Sequence, residues 1–120
     1  MRDHKKLRAF ELADTLALCV YSATRSFPRE EQFGLTSQLR RAAVSVASNI
    51  VEGSARNSEA DYLRFLDMAY GSLKEVDYQV SLAHRLQYLT SGDFQELEGL
   101  CDEASKVLNG LIRSLRKRAN

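Results

Sequence analysis

The side chains that could carry out catalysis or bind a metal are few in this sequence of 120 residues. Its two histidines, His4 and His84, do not follow a glutamate at the three-residue spacing found in di-iron helical bundles. The cysteines and histidines lack zinc-site spacing, and the six glycines stand singly rather than in a phosphate-binding loop. Glu52 and Glu75 could meet in the core as a carboxylate pair, but without a base or nucleophile nearby. We therefore predict that the protein is not an enzyme and binds no metal or cofactor.

Basic residues offer a different chemistry, since clusters of arginine and lysine bind the phosphates of nucleic acids. The formal net charge is only +1, but the charges are unevenly distributed. In an antiparallel bundle of four helices, one end would collect most of the cations, namely Arg2, Lys5, Lys6, Arg8, Arg56, Arg113, Arg116, Lys117 and Arg118. The opposite end would hold the acids Glu30, Glu31, Asp93, Glu96 and Glu98. The alternative is that the cations only complement helix dipoles and keep frayed helix ends soluble.

A second basic surface is predicted on the outward side of the third helix, together with part of the second. It comprises two arginines of the second helix, and two cations and two aromatic rings of the third: Arg40, Arg41, Lys74, Arg85, Tyr70 and Tyr78. The tyrosines are candidates for stacking on bases. If copies of the chain surround a symmetry axis, the positive field of this surface is multiplied.

Composition indicates an ordinary globular protein, with 44% hydrophobic and 28% charged residues, and the length fits one domain over residues 1–120. Cys19 and Cys101 lie among apolar residues at helical spacing, which is typical of reduced core thiols and favours a cytoplasmic location. No apolar run approaches the length of a membrane span, and the charged start of the chain does not resemble a signal peptide. We therefore expect no membrane association.

The elements that must position these residues are helices. A first helix is predicted from about Leu7 to Arg25, where the pair Phe27-Pro28 interrupts it, because proline disfavours helix at the preceding residue. A second helix is predicted from near Gly34 to about Gly53. Residues 44–51 could form a strand on their β-branched content alone, but the alanines among them favour helix.

Two capping signals predict the third and fourth helices, Ser58 followed by Asp61 and Thr90 followed by Asp93. The third helix has an unbroken apolar seam of Tyr62, Leu66, Ala69, Leu73, Val76, Val80 and Ala83. The seam of the fourth helix is Phe94, Leu97, Cys101, Ala104, Leu108, Leu111 and Leu115. Short connections make neighbouring helices antiparallel. The sequence therefore predicts an all-α fold, an antiparallel up-down-up-down four-helix bundle.

The second helix is apolar on more sides than a single bundle needs. Val44, Ala47 and Val51 form a stripe displaced from the core-facing one, and the first helix carries only one charge, Asp14, between residues 12 and 24. Surplus apolar faces on neighbouring helices indicate an interface between copies of the chain. The alternative is a wider core contact within one subunit.

Polar residues also occupy positions that should face the core. The third helix places Ser72, Glu75 and Gln79 in the middle of an apolar stripe, and the second helix offers Ser45, Ser48, Asn49 and Glu52 at comparable depth. Because buried polar groups need partners, we predict a hydrogen-bonded layer between these two helices. We further predict that Gly71 permits a close approach of helices there.

Two stretches of the sequence form specific motifs. The first is Gly34-Leu35-Thr36-Ser37-Gln38-Leu39-Arg40-Arg41-Ala42-Ala43, with Ser45-Val46 and Ser48-Asn49-Ile50-Val51-Glu52-Gly53 after it. The second is Phe65-Leu66, Ala69, Gly71-Ser72-Leu73, Glu75, Gln79, Ala83 and Leu86. Together they resemble the bacterial four-helix-bundle proteins encoded in intervening sequences of 23S rRNA genes, and this resemblance implies a homopentameric ring of antiparallel bundles. A related branch, the accessory proteins of diversity-generating retroelements, binds nucleic acid through a basic surface; Arg40 and Arg41 match the family's paired arginine.

The functional expectation is a non-enzymatic homo-oligomer, a pentamer, that binds RNA or DNA through a basic surface. The alternative is a protein-interaction scaffold whose basic residues only solubilise it or contact an acidic partner. Salt dependence separates the two hypotheses, because binding to several phosphates weakens steeply as salt rises.

Overall fold

Four long helices form the fold of this protein in a computed structural model that describes residues 2–119. They are α1 (Arg8–Ala23), α2 (Leu35–Ser54), α3 (Glu59–Arg85) and α4 (Ser91–Ala119), with short 3-10 turns at His4–Lys6, Thr24–Ser26 and Arg29–Glu31. Each helix packs on the next, and α4 returns to pack on α1. The bundle measures 46 × 23 × 21 Å. The predicted four-helix bundle is confirmed, and the strand considered for residues 44–51 is excluded because they are helical.

Local side-chain chemistry sets the helix ends. Ser58 Oγ accepts a hydrogen bond from the Asp61 amide (3.1 Å), and Thr90 Oγ1 accepts one from the Asp93 amide (3.0 Å), as the capping signals predict. The regular part of α1 ends at Ala23, two residues before the predicted end, because the chain tightens into a 3-10 turn there. Among the described non-glycine residues, only Gln87 has a positive φ, 65°, and this left-handed residue follows the end of α3.

A continuous apolar core runs between the four helices. Every residue of the predicted α3 seam is buried. In α4 two positions of the predicted seam differ. At one of them, Ile112 is only 2% exposed whereas the predicted Leu111 is half-buried. Because a helix has 3.6 residues per turn, the positions three and four residues after Leu108 both lie near the core face, and the packing places the fourth, Ile112, inside. Phe94, at the start of the seam, is also half-buried and stacks on His84 with ring centroids 3.8 Å apart.

Of these two glycines, Gly53 rather than Gly71 lies where α2 and α3 are in close contact. A Cβ atom on Gly53 would lie 2.8 Å from the Cβ of Phe65 and 3.2 Å from Tyr62 Cδ1. A Cβ atom on Gly71 would meet nothing within 4 Å. The prediction for Gly71 is therefore wrong within one chain, because this glycine lies on the exposed side of α3.

The predicted polar layer between α2 and α3 exists but is narrower. Ser45 Oγ and Ser72 Oγ share a hydrogen bond of 2.9 Å, and Asn49 Nδ2 donates to the carbonyl oxygen and hydroxyl of Ser45 (2.9 and 3.0 Å). Gln79 is buried, and its Oε1 has no hydrogen-bond partner among residues 2–119. Three predicted members of the layer are instead exposed: Ser48, Glu52 and Glu75.

The exposed carboxylates also rule out the proposed core pair of Glu52 and Glu75. Glu52 lines a surface groove with Asp14 of α1, so it lies on the side of α2 that faces α1 rather than α3. Successive residues of a helix are separated by about 100°. A difference of one or two positions is therefore enough to move a side chain from the core to the surface.

Candidate functional site

The predicted basic end is assembled from the chain start, the α2–α3 turn and the end of α4. Arg2 Nη1 donates to the carbonyl oxygen of Arg56 (2.9 Å), and the Arg2 guanidinium lies 4.1 Å from the centre of the Tyr62 ring. The Arg56 guanidinium lies 4.6 Å from the centre of the Phe65 ring. An open hollow of about 680 Å³ lies between them, lined by Arg2, Ala55, Arg56 and Asn57. Two arginines are thus held against aromatic faces at the mouth of a polar hollow.

Ion pairs reduce the positive charge at this end. Arg116 pairs with Asp67, and Arg118 Nη2 lies 3.7 Å from Glu59 Oε1. Arg8 Nη2 lies 2.9 Å from Glu103 Oε2. All three arginine side chains are more than half exposed, so each pair contributes no more than about 1 kcal/mol to stability. Within residues 2–119, the cations of this end that form no ion pair are Arg2, Lys5, Lys6, Arg56, Arg113 and Lys117. These six are named the free basic cluster.

The second predicted basic surface is not a single surface. Arg40 Nε donates to Thr24 Oγ1 (2.8 Å), and its guanidinium lies 4.6 Å from the centre of the Tyr21 ring, so Arg40 packs on the end of α1. Arg41 is exposed and lies one turn before Ser45, on the stripe that faces α3. The two adjacent arginines therefore diverge around α2: Arg40 faces α1, which corrects its predicted place beside α3, whereas Arg41 lies on the α3 side as predicted.

Lys74 and Arg85 share one face of α3 with Tyr78, at spacings of four and seven residues. The Lys74 ammonium lies 5.3 Å from the centre of the Tyr70 ring, and both residues line a shallow hollow with Asp102 of α4. Arg85 Nε donates to the Ser81 carbonyl oxygen of its own helix (3.3 Å). Lys74 thus lies against the Tyr70 ring, and the nearby Asp102 offsets part of its charge.

The stripe of Val44, Ala47 and Val51 lines an open apolar groove between α1 and α2. The groove has a volume of about 330 Å³ and also includes Asp14, Ala17, Ser48 and Glu52. Val44 is 41% exposed, and on the same side of the molecule Leu18 of α1 is 67% exposed and Tyr21 is 43% exposed. The surplus apolar face is therefore open to solvent in the single chain rather than used in a wider core contact.

Phe33 is an exposed aromatic residue that the sequence analysis missed. Its side chain is 90% exposed in the turn before α2. It belongs to no helical stripe, so periodicity gave no signal for it. The sequence gives one indication of an exposed ring: Phe33 stands next to a glycine and belongs to none of the predicted apolar seams.

The cysteines are free thiols, as predicted, with Cys101 buried and Cys19 half-buried. Burial raises the pKa of Cys101 to about 12, and the nearby Asp77 and Asp102 carboxylates add to this. Burial also raises the pKa of Cys19, together with the neighbouring Glu96 carboxylate. Both thiols are therefore protonated and poorly nucleophilic near neutral pH.

No three histidine, cysteine, aspartate or glutamate side chains between residues 2 and 119 are grouped so that they could share a metal ion. Over the same part of the chain, no helix has an apolar stretch long enough to cross a lipid bilayer.

Comparison with known proteins yields a family model and a similar solved structure. The model, described as 23S rRNA-intervening sequence protein, matches residues 5–110. A crystal structure of a protein of unknown function from the S23 ribosomal protein family of Bacteroides thetaiotaomicron superposes with a TM-score of 0.79. It has 23% sequence identity, and the match covers 88% of this chain and 95% of that chain. No curated protein matches the sequence.

Proposed function

The chain belongs to the 23S rRNA-intervening sequence protein family, and we propose that it works as a non-enzymatic, self-associating bundle that binds RNA or DNA through its basic end. The free basic cluster carries this proposal. Six cations that lack an ion pair within residues 2–119 surround one end of the bundle, and their charge is available to phosphates. The two free thiols favour a reducing compartment, and we place the protein in the cytoplasm.

Self-association strengthens the proposal, because it repeats the basic end. A closed ring of five chains, the state implied by the family resemblance, uses two different faces of each subunit. The apolar groove between α1 and α2 supplies one of them. The outward side of α3 offers a second, where Met68 and Tyr78 are exposed and Gly71 leaves the helix backbone open. In a ring with its helices along the axis, all five basic ends lie on one rim, and their positive potentials add.

The decisive experiment is a salt titration of nucleic-acid binding followed by fluorescence anisotropy. Labelled single-stranded RNA, structured RNA and duplex DNA are tested at about 50 and about 150 mM salt. The test variant combines Arg56→Gln with Arg113→Gln, two exposed members of the free basic cluster. The control combines Arg41→Gln with Arg85→Gln, which removes the same charge away from that end.

We expect the test variant to bind at least about tenfold more weakly than the unmodified protein near 150 mM salt. The slope of log affinity against log salt should fall by about 1.4 for single strands and about 1.8 for duplex, because two phosphate contacts are lost. The control should stay within about twofold of the unmodified protein. Equal losses in both variants would mean a general charge effect. A loss confined to the control would assign binding to Arg41 and Arg85.

The second candidate function is a protein-interaction scaffold. The ion pairs of Arg116 with Asp67 and of Arg118 with Glu59 favour it, because they use part of the basic end for structure rather than for a ligand. If the protein binds no nucleic acid even at low salt, the scaffold hypothesis is favoured. The exposed apolar groove between α1 and α2 would then be the surface on which to seek the partner.

A further inference from the structure

Three arginines line one hollow at the connection between α1 and α2, at the far end of the molecule from the free basic cluster. The hollow has a volume of about 430 Å³. Its lining is Thr24, Arg25, Phe27, Pro28, Arg29, Gln32, Thr36 and Arg40. The lining contains three positive charges and no carboxylate. We call this hollow the arginine hollow. The sequence analysis assigned this end only acidic residues.

Arg40 is held in place before any ligand arrives. Its Nε donates to Thr24 Oγ1 (2.8 Å), its Nη2 donates to the Tyr21 carbonyl oxygen (3.4 Å), and its plane lies on the Tyr21 ring. Thr24 Oγ1 in turn donates to the Val20 carbonyl oxygen (2.8 Å). A guanidinium has five N–H donors, so three of those on Arg40 remain for an acceptor in the hollow. Because the side chain is already ordered, binding loses little conformational entropy.

Neither acidic residue of the same connection, Glu30 or Glu31, forms a salt bridge with these arginines within the described residues. Glu31 Oε1 accepts from the Leu35 amide (3.0 Å) and Glu31 Oε2 accepts from the Tyr88 hydroxyl (3.0 Å), so both oxygens are engaged away from the hollow. In the described part of the chain, Arg25, Arg29 and Arg40 form no salt bridge. Three uncompensated guanidinium groups around one concave surface repel each other and attract an anion.

We propose that the arginine hollow binds a phosphate dianion, either free or as the monoester group of a small molecule. Guanidinium forks match phosphate oxygens with paired hydrogen bonds, and a dianion balances more of the three charges than a carboxylate does. The volume exceeds what a single phosphate needs, and Phe27 with Pro28 supplies an apolar wall for the organic part of an ester. The site lies apart from the nucleic-acid surface, so it would bind its ligand independently of that function.

The test is isothermal titration calorimetry on the full chain at constant ionic strength. Inorganic phosphate, a nucleoside monophosphate and the matching nucleoside are titrated in turn, with chloride as the background anion. Arg25→Gln and Arg29→Gln are the test variants, because both side chains are exposed and their replacement should leave the fold intact. Arg85→Gln is the matched control, since it removes an exposed arginine of α3 that does not line the hollow. Circular dichroism checks that each variant is folded.

We expect the phosphate-bearing ligands to bind and the nucleoside not to bind. Each test variant should weaken binding at least about tenfold, because a charged hydrogen-bond donor is lost, whereas the control should change it less than about twofold. Binding of inorganic phosphate alone assigns the site to the free ion, and binding of the monoester alone assigns it to an ester; both support the proposal. Phosphate that binds no more tightly than chloride, nucleoside that binds equally well, or equal losses in the control would overturn it.

Discussion

At the scale of the residue, the hydroxyl of Thr24 joins two helices through two hydrogen bonds. It donates to the Val20 carbonyl oxygen of α1 and accepts from Arg40 Nε of α2, both at 2.8 Å. Thr24 is only 3% exposed, so water cannot replace either partner. The hydroxyl therefore satisfies a buried carbonyl and fixes the direction of a charged side chain at the same time.

Replacing Thr24 with valine should expose how much this hydroxyl contributes. Thr24→Val keeps the shape of the side chain but leaves Arg40 Nε without its acceptor, and we expect the free energy of unfolding to fall by about 1–3 kcal/mol. Urea denaturation followed by circular dichroism measures the change. Thr15→Val, at an exposed position of α1, is the control and should stay within about 0.5 kcal/mol. Similar effects in both variants would show that the hydrogen bond to Arg40 adds nothing.

At the scale of the element, the unusual feature is how α2 and α3 meet. Their polar layer of Ser45, Ser72 and Asn49 sits between apolar layers, and Gly53 lets the end of α2 approach Tyr62 and Phe65 of α3. This half-buried hydrogen-bonded layer favours one register of the two helices, because a shift would leave its groups unpaired. The contact at Gly53 fixes the same register by shape.

A pair of glycine substitutions separates packing from helix propensity. Gly53→Ala should lower the free energy of unfolding by about 1–3 kcal/mol, since its Cβ would overlap Phe65, an overpacking that exceeds the gain in helix propensity. Gly71→Ala should raise it by about 0.5–1 kcal/mol, since its Cβ meets nothing within 4 Å. Thermal unfolding of both variants shows whether each substitution lowers or raises the stability. A loss of stability in Gly71→Ala would instead mean that another chain packs against that point.

The helices themselves were predictable because their signals are local. The cap hydroxyls of Ser58 and Thr90 and the seam of α3 require only spacing along the chain. The sequence predicted less well which side chains of each helix face the core, because a shift of one or two positions changes the face. Ile112 rather than Leu111 is in the core, and Glu75 is exposed rather than buried. The surroundings of Arg40 depend on a 3-10 turn that recruits a residue 16 positions away, and no local pattern encodes that contact.

At the scale of the whole molecule, charge and apolar surface occupy different places. The free basic cluster lies at one end, the arginine hollow at the other, and the apolar groove lies along the side between α1 and α2. The sequence predicted the basic end, because the order of antiparallel helices fixes which termini meet. It did not predict the arginine hollow, because the residues of a turn have no periodicity that reveals which way they face.

Self-association through the apolar groove gives a prediction at this scale. Val44→Glu places a charge on an exposed apolar position, so the single chain should still fold, while burial of that charge in an interface should disrupt the assembly. Sedimentation velocity should show the unmodified protein at about five times the 13.5 kDa chain mass and the variant at lower mass. Gln95→Glu, at an exposed position of α4, is the control for added charge. A monomeric unmodified protein at micromolar concentration would contradict the self-association model.

The order of helix packing has a consequence for the time course of folding. Each helix packs on the next one along the chain, and among the main contacts between the four helices that of α1 with α4 joins helices that are not consecutive. Such proteins have a low contact order and fold in microseconds to milliseconds, because most contacts form without closing a long loop. Collisions between chains depend on concentration and take milliseconds to minutes. We therefore expect newly made chains to become folded monomers first, so the rate at which the proposed rings form should depend on the number of chains in the cell.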